Sequence, residues 1–130
     1  MKQAFFRGTL LMASMLTSDL LALSFKLPDQ MSVQLDSQPG LDTRKVSRLN
    51  LRWPSESAWT PIAFDAEMPD HKHGMNVKAS APEKVPGADL VYQVEGVKLH
   101  MPGLWILRLQ VKNRTGEVRW VDTPYQLPKK

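Results

Sequence analysis

The chain contains no cysteine. No disulfide can hold the fold together, lipid attachment through a cysteine is excluded, and any soft-metal site must draw its sulfur from methionine. Long apolar runs are equally scarce. The longest covers residues 8–23 and is broken by Asp19, short of the roughly 20 predominantly apolar residues that a spanning helix needs. Beyond it, no window of about eleven residues carries a 3.6-residue apolar period, so no long helix is expected. Charge of one sign does not dominate either: 17 basic against 13 acidic residues leave a net charge of +4. The basic residues, among them Arg44, Lys45, Arg48, Arg52, Lys112, Arg114, Lys129 and Lys130, are scattered and do not form a stripe with interleaved aromatics, which argues against a nucleic-acid partner. Catalytic signatures are missing as well. There is no G-x-S-x-G, no H-E-x-x-H and no glycine-rich phosphate loop, so the chain is expected not to be an enzyme.

What is present begins with a leader. Residues 1–24 combine Lys2 and Arg7, an apolar stretch, and Ala22-Leu23-Ser24 as a small-x-small cleavage site, the three-part layout of an export signal. The segment is expected to be helical and cleaved, releasing a periplasmic or secreted product; membrane contact would come only through an uncleaved leader. Residues 25–130 then form one domain, since this length suits a single core.

The mature part reads as short strands separated by turns, with ten prolines and seven glycines supplying the punctuation. Met31, Val33 and Leu35 alternate with polar residues, and Gln38-Pro39-Gly40 predicts a turn in which Gly40 takes a positive φ. Val46, Leu49, Leu51 and Trp53 mark a second strand that Pro54 stops. Ile62, Phe64, Ala66 and Met68 mark a third, with Met68 at its inward-facing end. Residues 76–81 are a further candidate, residues 83–89 a polar connection, and residues 90–94 a strand that bends at Gly96 and continues through 97–101. Trp105, Leu107, Leu109 and Val111 alternate with Ile106, Arg108 and Gln110 in the clearest pattern of all. Asn113-Arg114-Thr115-Gly116 predicts a hairpin turn into residues 117–121. About six to eight strands of this kind predict an all-β, antiparallel, immunoglobulin-like sandwich.

Two segments carry chemistry. Met68-Pro69-Asp70-His71-Lys72-His73-Gly74-Met75 holds two imidazoles and two thioethers, and Leu99-His100-Met101-Pro102-Gly103 holds the third and last histidine. In extended backbone His71 and His73, two residues apart, project to one side. Thioethers suit copper(I), and imidazoles suit copper(II), zinc and nickel, so the mixed set His71, His73, Met75 and His100, supported by Met68 and Met101, points to copper. All these donors are neutral when bound, which suits transfer better than permanent structural binding. The plainer reading makes the histidines exposed loop residues and the methionines core plugs, since methionine fills irregular gaps and packs well on aromatics. Asp65, Glu67 and Asp70 read as solvated carboxylates. Trp53, Trp59, Trp105 and Trp120 read as core or rim aromatics.

Residues 68–75, followed by 94–107 with Gly103 and Trp105 in place, resemble the YtkA-like, FixH-related family of small exported bacterial domains. The resemblance covers residues 60–112 and implies an immunoglobulin-like sandwich at the cell envelope, with a role in copper handling or in assembly of copper-dependent oxidases. Lys72 departs from the family pattern, where a small residue such as glycine is common between the histidines. The alternative from another class is a metal-free interaction module that contacts an envelope protein through the histidine loop and edge strands.

Overall fold

The computed structural model describes residues 23–129 except Ala88. The leader expectation falls almost wholly on residues 1–22, outside the described residues. Nine strands follow in order: β1 (Ser24–Lys26), β2 (Ser32–Gln38), β3 (Ser47–Arg52), β4 (Thr60–Met68), β5 (His73–Gly74), β6 (Glu83–Lys84), β7 (Val91–Val97), β8 (Gly103–Lys112) and β9 (Val118–Leu127). They form two antiparallel sheets, ordered β9-β8-β4-β5 and β1-β2-β3-β7-β6. Without β1, this order is the ABED and CFG arrangement of immunoglobulin domains, extended by β5 on the second sheet. The antiparallel sandwich predicted from the alternation is what forms.

The core lies between the sheets. Phe25, Val33, Leu35, Leu49, Leu51, Phe64, Ala66, Met68, Val94, Trp105, Leu107, Leu109 and Val111 are all buried, as the period-two pattern requires. Each large apolar side chain fully removed from water contributes about 1.5–3 kcal/mol before entropy is counted, so this layer dominates stability. The hairpin from β8 to β9 turns where expected. Asn113 Oδ1 accepts hydrogen bonds from the backbone N–H of Thr115 and of Glu117, and Gly116 supplies the positive φ.

Several local expectations are corrected. β1 and β6 were not legible as strands; each is only two or three residues long, though Phe25 of β1 is completely buried. Ser24, the last residue of the expected leader, is paired with Gln34 in β1. Residues 76–81 are not a strand. They form a strap that leaves β5 and crosses to the other sheet, where the Ser80 N–H donates to Glu95 O and the Glu95 N–H donates to Ser80 Oγ. Val46 is 57% exposed because the inward parity runs through Ser47, Leu49 and Leu51. Ile62 is the extra residue of a bulge between Pro61 and Ala63, so Pro61 is buried in its place. A second bulge, opposite Ser47 and Leu49, uses Gly96 at φ 76°. β7 ends at Val97, not at Met101. β9 runs on to Leu127 and tolerates Pro124 because it is an edge strand. The bend at 38–40 has a cis Gln38–Pro39 peptide, and Gly40 has no positive φ.

Candidate metal centre

The chain reaches the site along β4. Residues 64, 66 and 68 face the core, so β4 ends with Met68 inward and Glu67 outward. A tight reversal follows: the N–H groups of His71 and Lys72 both donate to Met68 O, at 3.2 and 2.8 Å. Lys72 closes the turn at φ 56°, a left-handed conformation that favours glycine. β5 then pairs Met68 with His73 and Glu67 with Gly74. Directly opposed residues of an antiparallel pair share a face, so His73 lies on the Met68 side, at the open end of the sandwich. Gly74 sits where an added Cβ would come within 3.1 Å of Ala66 O.

The second segment arrives from the β7–β8 connection. Leu99 is buried, His100 is half-buried, and the Trp105 indole N–H donates to Met101 O at 2.9 Å, tying this connection to the first inward residues of β8. The three histidines therefore meet, as the sequence required of any site. Ring centroids are 5.7 Å apart for His71 and His73, and 5.3 Å for His73 and His100. Trp105 stands edge-on to His73 at 6.4 Å and to His100 at 5.6 Å. The premise that brought His71 and His73 together is corrected, however. Their shared side comes from the turn, with Lys72 left-handed between them, and not from extended backbone.

The arrangement is a row with His73 in the middle. Among the described residues, no three His, Asp or Glu side chains form a ready-made cage around one ion. Each neighbouring pair nonetheless has a suitable span, because two imidazoles bound at about 2.0 Å to one tetrahedral ion place their centroids roughly 5 Å apart. Two further observations fit a metal. His73 Nδ1 lies 3.1 Å from Gly74 O; a carbonyl only accepts, so Nδ1 is the donor, and in the neutral ring Nε2 has the lone pair. His100 Nδ1 is buried without a hydrogen-bond partner, an orphaned group that costs on the order of 1–3 kcal/mol unless something engages it. The His100 pKa is lowered, first by burial and then by the nearby His73 and Lys98, which keeps the ring neutral, the form a metal binds.

The methionines are placed differently. Met68 is 1% exposed, and its Cε lies 3.0 Å from the Cβ position of Gly103, whose φ is 125°. It plugs the core. Met75 and Met101 are half-buried and pack against that core; Met75 also lines a depression of about 420 Å³ with Phe64, Val77, Ala79 and Trp120. Asp65 and Glu67 are exposed positions of β4. Asp65 and Glu67 line a shallow hollow of about 410 Å³ with Pro69, Lys72 and His73. Glu67 pairs with Arg108 at 3.9 Å, Arg108 pairs more closely with Asp122 at 3.1 Å, and the same guanidinium covers Trp120. Sequence reasoning missed this outer-face network. Its one signal was the polar member, Arg108, in the alternation of β8.

Comparison of the chain with family models, with curated proteins and with solved structures finds no match.

Proposed function

We propose that this protein is a non-enzymatic copper-binding domain of the cell envelope, exported by its leader and active in handling copper or delivering it to a copper-dependent system. The observation that carries the reading is the row of His71, His73 and His100, the only histidines of the chain, at one end of the sandwich beside Trp105. His73 would hold copper through Nε2, with His71 and His100 as its neighbours. Met75, half-buried, is the thioether candidate of the set, and Met101 and Met68 are supporting donors, with Met68 committed to packing. Bound copper would supply a soft, exchangeable ion and no protein-centred chemistry. The likeness of residues 68–75 and 94–107 to the YtkA-like, FixH-related domains supports the same reading.

The test is titration of the protein with copper(I) and copper(II), repeated on the double variant His71→Ala, His73→Ala. Loss of binding in the variant is expected; equal affinities in both proteins would end the idea. The second reading, a metal-free interaction module for an envelope protein, is favoured by one feature. Among the described residues, β4 has ladder partners on the side away from β8 only at Glu67 and Met68, which leaves the backbone from Thr60 to Ala66 without a ladder partner there, beside the depression it shares with residues 75–79. That reading predicts no copper binding by the unmodified protein.

A further inference from the structure

We propose that the three histidines form a two-position relay for a single copper ion, with His73 common to an outer position shared with His71 and an inner position shared with His100. The proposal rests on the copper reading above and concerns how the ion moves within the site.

Three features lead to it. The first is connectivity: ring contacts join His71 to His73 and His73 to His100, and none joins His71 to His100 among the described residues. The second is a gradient of exposure. His71 is exposed on the turn, His73 is half-buried on β5, and His100 is half-buried with Nδ1 shut off from solvent and Trp105 against its ring. An ion arriving from water therefore meets the His71–His73 pair first. The third is donor capacity. With Nδ1–H of His73 given to Gly74 O, only Nε2 is left to bind, and one lone pair serves one ion. The two positions cannot be filled together. Passage inward is then a single ligand exchange, His71 for His100, while His73 stays bound.

The scaffold distributes rigidity to match. His73 is fixed by the pairing of β5 with Met68, and His100 by a connection anchored through Trp105 to Met101 O. Among the described residues, the backbone hydrogen bonds of the exposed turn that carries His71 both end on Met68 O, so the ligand to be released is the least constrained one.

The experiment mixes the protein with copper(II) chloride near neutral pH in stopped flow and follows tryptophan fluorescence, with Trp105→Phe assigning the Trp105 signal, whose faster and slower phases report the outer and inner positions because the indole stands against both His73 and His100. Equilibrium affinity is measured by competition with a chelator, and stoichiometry by metal analysis. One copper per chain is expected. His71→Ala should slow capture about tenfold while leaving affinity within about threefold, and His100→Ala should keep fast capture, lose the slower phase of Trp105 quenching that marks transfer inward and weaken affinity about 10–100-fold, the range typical of altered metal surroundings. His100→Gln repeats the inner arm if alanine unfolds the protein. Two coppers per chain, or His71→Ala and His100→Ala acting alike on rate and affinity, would overturn the relay while leaving copper binding intact. An unmodified protein that binds no copper would instead overturn the copper reading itself.

Discussion

The methionines and the histidines of residues 68–75 share one short segment and go to different parts of the molecule. Met68 enters the core layer with Gly103, Trp105 and Leu107, whereas His71 and His73 sit at the open end above it. Strand parity makes the division: an inward position on β4 becomes scaffold, and the turn that follows becomes display. A sequence rich in metal donors is thus not a list of ligands. Substitutions in the two groups should separate stability from binding.

The largest effect is expected from Met68→Ala. Removing a fully buried methionine leaves a cavity and costs about 2–5 kcal/mol, measured by denaturant unfolding, while the folded fraction keeps its copper affinity. A parallel fall in affinity at matched folding would mean that the thioether is a ligand after all. Gly103→Ala comes next. An added Cβ meets Met68 Cε at 3.0 Å, in a backbone conformation at φ 125° that L side chains rarely adopt, so roughly 1–3 kcal/mol should be lost to overpacking and strain. The double variant Gly103→Ala, Met68→Ala should recover part of that loss, because the two side chains share one space.

Acid should weaken the histidine end. Burial first, then His73 and Lys98, lower the His100 pKa below its ordinary value of 6.5. Below pH 6.5 the unfolded chain binds this proton more readily than the native one, so stability is complete above that pH and falls as pH drops toward the native value. Unfolding free energy measured from neutral pH to pH 5 should show this slope, and His100→Gln should flatten it. An unchanged slope would place the titration elsewhere.

Much of this was legible in advance, and the exceptions have physical causes. The alternation in β8 and β4 gave the sandwich and its inward residues, because burying one face fixes parity. Of the two bulges, each of which resets the parity by one step, Gly96 was legible as a bend, whereas Ile62 carried no signal among apolar neighbours. Very short strands escaped too, since two or three residues carry no period. At the site, the meeting of His100 with His73 followed from strand order, which the residue pattern alone did not supply. The turn between His71 and His73 is not legible, because Lys72 gives no hint of a positive φ.

That residue also gives the smallest and most local prediction. The turns 69–72 and 113–116 both end on a left-handed residue, Lys72 at φ 56° and Gly116 at φ 92°. Glycine stands at the second, where only a tight reversal is needed. At the first a lysine bears a Cβ in a conformation that costs it roughly 1–2 kcal/mol, partly offset because glycine would lose more backbone entropy on folding, by about 0.5–1 kcal/mol. Lys72→Gly should therefore stabilise the protein by about 1 kcal/mol or less, and Lys72→Asn, which tolerates this region with less backbone freedom, by a similar amount. Both remove a cation between His71 and His73, so copper affinity should rise with stability; in Met68→Ala the two quantities part. A variant that gains stability and loses affinity would show that Lys72 holds the turn in the geometry the histidines need, and the strain would then belong to the site.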